Sequence, residues 1–328
     1  MKIAYIYDAI YPYIKGGVEK RIYGEAQKQA GLGNEVHIYG YQYWESPSVK
    51  KENNITYHGL IKAPPLATKT GKRSLKGLFS YNYFLVYSLL KNNYDTIECQ
   101  NIPYLPIFIC FFISFIKKTR IQVVWHEILG HHWFSFYPIL GFLGFLIEKM
   151  ALTLPLEHIA ISNFIFQKIP SKNKKLISFY PNQDEIFHAP TLNDHFDIIF
   201  AGRFVRHKQP ELLIQTLDML AQKNFYPKTL FIGEGPLKSQ VQAVAQEKKL
   251  KNVQFINFVP NIYSYLKSTK LLVLPSLREG CSFLTLESQA CNAKVITIDA
   301  PLNAAKTLTP YVCKNSPQDL ATKIMENY

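Results

Sequence analysis

Cysteine is scarce and unpatterned. The chain has five, Cys99, Cys110, Cys281, Cys291 and Cys313, an odd number with no CxxC among them. That excludes a disulfide framework or a cysteine zinc site and fits a reducing, cytoplasmic setting. Acidic residues are also few, 24 against 37 Lys and Arg, for a net charge of +13. A basic balance favours an anionic partner, whether nucleic acid, a phosphate-bearing ligand or an anionic membrane, although a lysine-rich bias for solubility explains the bulk charge equally well. The local cluster Lys62, Lys69, Lys72, Arg73 and Lys76 is less easily explained that way. No recognised nucleic-acid motif occurs and the basic residues are dispersed, so no nucleic-acid partner is expected. No apolar run reaches the ~20 residues of a spanning helix. The longest, residues 102–116, carries Pro103 and Pro106 and is expected to form a buried helix. A second, residues 137–146, is shorter still, and either is apolar enough to dip into a membrane surface. The opening residues are interrupted by Asp8 with no small-residue cleavage site after them, so no signal peptide is expected. GxGxxG is absent and no acidic residue ends the second strand, which disfavours a nicotinamide enzyme.

What is present is a chain of 328 residues, 48 % of them hydrophobic, enough for two domains with real cores. Residues 2–7 are β-prone. Val18, Ile22, Ala26 and Ala30 then mark one helix face, stopped by Gly31 and Gly33, and residues 35–39 form a second strand. This is the β-loop-α-β unit of a parallel sheet. Residues 50–76 are polar, basic and Pro-containing and are expected to be irregular. Further strands are expected at 94–99, 121–125, 158–161 and 176–179, with a helix at 141–152. Residues 181–195 read as a linker, dividing the chain into domains 1–185 and 186–328. The alternation then restarts, with strands at 196–201, 229–232, 253–256, 271–274 and 294–298 and helices at 211–221, 237–249, 283–290 and 319–325. The fold class is therefore α/β, with two doubly wound domains.

Four constellations carry chemistry. Gly16-Gly17 lies between the first strand and helix, where glycines let the backbone approach a phosphate at a helix N-terminus; a tight turn needing positive φ is the plainer reading. Gly202-Arg203 to Lys208 places two cations on a loop after a strand, suited to clamping a diphosphate and neutralising it as it leaves. Arg278 to Phe283 puts Glu279 on a loop and Gly280, Ser282 and Phe283 at a helix start, with Glu287 about two turns into that helix. His126-Glu127 follows a strand, with His131 and His132 beyond; the spacing does not match a helical metal pair, and no metal is expected.

The stretch EGCSFLTLESQAC resembles the E-x7-E signature of the retaining glycosyltransferases of family 4. KGGVEKRIYGEAQKQAGLGNEVHIYG, HIAISNF, FYPNQDEIF, FAGRFVRHKQPELLIQTL and LFIGEGPLKSQV are similar, in order, to that family's glycine loop, inter-domain passage, diphosphate-binding segment and Gly-x-Gly-Pro turn. The resemblance implies the GT-B architecture, two Rossmann-like domains facing across a cleft, here without evident C-terminal crossover helices. It implies a metal-independent transferase needing no cofactor beyond a UDP- or GDP-linked sugar donor. Arg203, Lys208 and the Gly16-Gly17 backbone would bind the diphosphate, Glu287 the ribose and Glu279 the donor sugar, with His126 near sugar and acceptor. A glycan or lipid-linked acceptor is expected, with peripheral contact at the inner face of an anionic membrane. The family's Pro-Asn-Gly is here Pro181-Asn182-Gln183. A sugar-nucleotide epimerase or phosphorylase of the same architecture, or a non-catalytic partner subunit, are the alternatives.

Overall fold

The computed structural model describes residues 1–65, 77–178, 181 and 183–328. Of the basic cluster only Lys62 falls within them; Lys69, Lys72, Arg73 and Lys76 lie outside the described residues, as do 179, 180 and 182 of the inter-domain motif. The chain divides into two compact units, the second beginning at 179.

The first unit runs β1 (Lys2–Ile6), α1 (Gly17–Gly31), β2 (Glu35–Gln42), β3 (Val49–Glu52), β4 (Ile55–Lys62), α2 (Leu78–Lys91), β5 (Thr96–Gln100), α3 (Leu105–Lys117), β6 (Arg120–Trp125), α4 (His132–Phe136), α5 (Gly141–Thr153), β7 (Glu157–Ala160), α6 (Asn163–Phe166) and β8 (Lys174–Leu176). Its eight strands lie in the order β3-β4-β2-β1-β5-β6-β7-β8, parallel except for the antiparallel β3–β4 pair. Strand alternation splits the core between the two faces. Ala4 and Ile6 pack with Leu85 of α2, Ile107 of α3, Ala151 of α5 and Ile165 of α6. Ile3 and Tyr5 pack with Ile22 and Ala26 of α1 on the other face.

Three expectations are corrected here. Residues 50–62 are not irregular: β3 and β4 form a hairpin whose Asn53 and Asn54 take φ of 50° and 60°, the two left-handed residues of a tight hairpin turn. Ile55, Tyr57 and Gly59 of β4 alternate inward, which the surrounding lysines obscured. The 102–116 run does form a helix, α3, but only one side of it is buried: Ile107, Cys110 and Ile113 face the core, while Phe112, Phe115 and Ile116 are exposed. Among the described residues no helix is long and apolar enough to cross a membrane. Finally, neither Gly16 nor Gly17 has positive φ. Gly16 is extended at −135°, so a left-handed turn is not why glycine stands there.

The second unit runs α7 (Gln183–His188), β9 (Phe196–Ala201), α8 (Pro210–Gln222), β10 (Thr229–Ile232), α9 (Lys238–Glu247), β11 (Val253–Ile256), α10 (Tyr263–Lys267), β12 (Thr269–Leu274), β13 (Arg278–Glu279), α11 (Phe283–Ala290), β14 (Lys294–Ile298), β15 (Leu302–Asn303), β16 (Val312–Cys313) and α12 (Pro317–Asn327). Six strands form a parallel sheet in the order β11-β10-β9-β12-β14-β16. Leu213 of α8, Val241 of α9 and Leu320 of α12 pack on Ile198 and Phe200. Ile186 of α7 and Leu266 of α10 pack on Phe196 and Ile199 of the opposite face. The stretch expected as a linker therefore contains a short helix, α7, anchored by Ile186 in this unit's core.

Candidate active site

Each sheet has one point where strand order reverses, between β1 and β5 in the first unit and between β9 and β12 in the second. Loops leaving the carboxyl ends of strands at such a point diverge and leave a crevice, which is where open α/β sheets bind ligands. Arg203 and Lys208 follow β9, and Glu279 follows β12, so the second unit's switch point brings these three together.

The loop after β9 is fixed by the one after β10. Phe204 donates its amide to Glu234 O (2.8 Å) and accepts at its own carbonyl from Leu237 N (3.1 Å). The two loops approach so closely that a Cβ on Gly233 would collide with the Gly202 carbonyl oxygen. At Gly235 it would stand 2.7 Å from Phe204 N and 2.6 Å from its oxygen. Both glycines also have left-handed φ, 141° and 150°, so the Gly-x-Gly-Pro turn requires glycine at both places. Phe204 is fully buried on Phe200 and Phe231, which leaves Arg203 beside it exposed. Residues 206–208 form one 3-10 turn, and Lys208 Nζ pairs with Glu279 Oε1, both side chains largely buried. His207 between them accepts the Leu277 amide at its carbonyl (2.8 Å). Burial, followed by the Lys208, Arg278 and Arg203 charges, pushes its imidazole down to about 3. This is an electropositive neighbourhood.

Glu279 is held by β13, which pairs with β15. There Asn303 is fully buried, donating to Thr297 Oγ1 and Ile298 O at 2.9 Å each. Gly280 and Phe283 flank the start of α11. Ser282 is buried at its N-cap position but does not cap it; its Oγ accepts from Thr285 Oγ1 (2.7 Å). The dipole at this end suits a phosphate. Glu287, on the same helix, is 7 % exposed and accepts from the Tyr263 hydroxyl (3.2 Å). Tyr263 was not singled out in the sequence. Its only signal there is an aromatic residue before the strand that leads to Glu279.

In the first unit Gly16 stands at the N-cap of α1, and a Cβ there would meet the Glu19 carboxylate. That buried carboxylate lies at the helix N-terminus, the end of the dipole that favours negative charge. His126, after β6, belongs to a polar chain the sequence reading missed. Arg21 of α1 pairs with Glu98 of β5. Gln100 Nε2 donates to Glu98 Oε1 (2.9 Å), while its Oε1 accepts from Arg21 Nη2 (3.3 Å) and faces His126 Nε2 at 2.7 Å. A carboxylate only accepts and a guanidinium only donates, so the orientation of Gln100 is determined. His126 Nε2 must then carry the hydrogen, leaving the lone pair on Nδ1, a buried atom with no partner among the described residues. Burial, with Arg21 second, holds the imidazole well below its ordinary range, so it is neutral at neutral pH. Asn101 locks the backbone, accepting from His126 N (3.0 Å) and donating to Glu127 O (2.9 Å). The signal for this chain was TIECQN, a strand ending in polar residues that are all buried. His131 plays no part in it and stacks on Phe145 at 5.1 Å.

Residues 182–326 match the family described as Glycosyl transferases group 1. Over 339 residues the chain is 23 % identical to an uncharacterised glycosyltransferase of Methanocaldococcus jannaschii, covering 96 % of this chain and 85 % of that protein. Sucrose-phosphate synthase from Thermosynechococcus elongatus has a similar structure, with TM-score 0.75 and 18 % identity over 99 % of this chain and 89 % of the other. Anabaena HepE in complex with UDP and glucose gives a TM-score of 0.72 at 16 % identity, covering 99 % and 89 %. At these identities the structural likeness establishes a common α/β fold of two Rossmann-like units.

Proposed function

We propose that this chain, whose residues 182–326 match the group 1 glycosyltransferases, moves a sugar from a nucleoside-diphosphate sugar to a glycan or lipid-linked acceptor. The observation that carries this reading is the gathering of Arg203, Lys208 and Glu279 at one switch point, beside the N-terminus of α11. Arg203 and Lys208 bind the diphosphate and offset its charge as it leaves, the work a divalent cation does in other transferases. Glu279 holds the Lys208 ammonium in place and accepts from donor-sugar hydroxyls. Glu287, steadied by Tyr263, takes the ribose hydroxyls. Ser282, Phe283 and Gly280 shape the helix start against the phosphates, and the Gly16-Gly17 backbone offers a further phosphate contact at the N-terminus of α1. Neutral His126 offers its Nδ1 lone pair to a sugar or acceptor hydroxyl.

The reaction proceeds with retention. The bond from the anomeric carbon to the diphosphate breaks through an oxocarbenium-like state while the acceptor oxygen bonds on the same face, and the departing diphosphate takes the acceptor proton. HepE, of like fold, is described in complex with UDP and glucose, which supports UDP as the first nucleotide to try.

Calorimetric titration of UDP and of GDP into the whole chain tests the donor site. One nucleotide is expected to bind with unchanged affinity in EDTA, and Lys208→Ala to weaken it by about 1.5–3 kcal/mol, the worth of a hydrogen bond to a charged group. Binding of neither nucleotide, or an unaffected Lys208→Ala, overturns the site. Release of free nucleoside diphosphate only when an acceptor is present separates a transferase from an epimerase.

A further inference from the structure

Helices α2, α3 and α5 of the first unit carry apolar residues on the side where a soluble fold puts polar ones. In α2, Tyr81, Leu85 and Leu89 face the core, while Phe79, Tyr83 and Tyr87, two residues out of phase with them and so on the opposite side, are exposed. Phe79 is 82 % exposed. In α3, Phe112 and Phe115 are 66 % and 69 % exposed behind a fully buried Ile107 and Cys110. In α5, Phe142 and Leu143 are exposed, and Ile139 just before the helix reaches 93 %. Scattered exposed hydrophobics need no explanation, but these are not scattered. Moving along the sheet from β4 to β5, β6 and β7, each connection steps the same way. Right-handed crossovers therefore lay α2, α3 and α5 on one face. Their inner residues confirm it by sharing one core cluster. The outward residues thus form one layer.

The charges on that layer are of one sign. Neither α2 nor α3 contains an Asp or Glu. The single carboxylate of α5, Glu148, turns inward, accepting from the Tyr104 hydroxyl (2.7 Å) and the amides of Leu129 (2.9 Å) and Gly130 (2.6 Å). Lys91 and Lys118, at the C-terminal ends of α2 and α3, and Lys149 on α5 are exposed. A second copy of this chain would set like charges against each other across such a face. Apolar side chains rimmed by lysines suit an interface where hydrocarbon lies beneath anionic headgroups.

We propose that the outer face of α2, α3 and α5 docks on an anionic lipid bilayer, lying on it without crossing it. Phe79, Tyr83, Phe112, Phe115, Phe142 and Leu143 enter the headgroup boundary, and the lysines meet lipid phosphates. The test is binding, so it succeeds or fails separately from the donor chemistry. The full chain is floated with vesicles of phosphatidylcholine alone and of phosphatidylcholine with phosphatidylglycerol. Flotation with the second is expected, weakening as salt rises. Phe112→Ser with Phe115→Ser should lower the partition coefficient on the order of tenfold, with thermal unfolding and nucleotide binding unchanged. Lys91→Glu with Lys149→Glu, exposed changes that keep the aromatics, should remove the preference for phosphatidylglycerol. A wild-type chain that floats with neither vesicle overturns the proposal. So does a Phe112→Ser, Phe115→Ser chain that floats as well as wild type. A wild-type dimer that this double change makes monomeric, without lipid binding, assigns the face to a second copy instead.

Discussion

Gln100 touches no residue proposed to meet the donor diphosphate, yet it determines which nitrogen of His126 is free. Gln100→Leu removes the acceptor for His126 Nε2 and lets the ring carry its hydrogen on either nitrogen. If Nδ1 must accept from a ligand hydroxyl, kcat should fall on the order of ten- to a hundredfold with little change in KM for the donor. Gln100→Glu keeps an acceptor for His126 and Arg21 but gives up the bond to Glu98 and sets a like charge beside it, so it should restore only part of the loss, with the pH profile displaced as the added charge favours imidazolium. Steady-state transfer kinetics across pH check both, and a purely structural role would leave the profile unmoved. In the second unit, Glu287→Ala should weaken nucleotide binding by about 1.5–3 kcal/mol, and Tyr263→Phe, which removes one hydrogen bond to the same carboxylate, by about 1 kcal/mol; calorimetry reads both. Arg203, Lys208, Glu279 and Glu287 were legible in the sequence because each stands at a fixed offset from a strand end or helix start. Gln100, Arg21 and Tyr263 were not, because their roles come from partners across the fold: Arg21 meets Glu98 from 77 positions away.

Elements were legible where one face is apolar and the other polar. Residues 283–290 and 294–298 became α11 and β14 within the expected bounds, and α1 stopped at Gly31 with Gly33 left-handed at φ 81°. Where that contrast fails, so did the reading. α2 has apolar residues all round and no acidic ones, so no amphipathic period marks it. The β3–β4 hairpin lay within a lysine-rich stretch, and its Asn53-Asn54 turn was the overlooked cue. The Gly-x-Gly-Pro turn was visible as a motif, but not the contact that demands it. Gly235→Ala would press a methyl on the Phe204 backbone at a left-handed φ. It should cost about 1–3 kcal/mol in urea unfolding and loosen the loop carrying Arg203. Ser316→Ala offers a contrast at the N-cap of α12, where the hydroxyl accepts the Asp319 amide (3.1 Å). It should cost about 1 kcal/mol in the same unfolding measurement and leave nucleotide affinity unchanged.

Across the whole molecule, histidine burial governs how the fold meets acid. Burial is the first cause holding His37, His58, His126, His158 and His207 below the ordinary 6.5, with His58 at about 4 and His207 at about 3. His37 and His58 also share a 2.8 Å contact between ring nitrogens, which one proton satisfies and two disrupt. In the unfolded chain these imidazoles titrate near 6.5, so below that pH the unfolded state binds more protons than the folded one. Stability therefore falls as pH falls through that window, by more for each imidazole that stays neutral in the fold while its unfolded counterpart is charged. The depressed carboxylates act later: Glu35, held at about 2 chiefly by the hydrogen bond from Lys2, keeps its contribution above the carboxylate range and loses it only as pH falls towards that value. Urea midpoints measured from neutral pH down to about pH 5 should drop steeply while the carboxylates are still ionised. His58→Gln, which keeps a polar side chain and removes one titrating pair member, should flatten that slope. An unfolding free energy level between neutral pH and 5 would mean that these imidazoles gain water and protons without unfolding. The tautomer assigned to His126 would then have to be abandoned with them, since it depends on the same dry, uncharged interior.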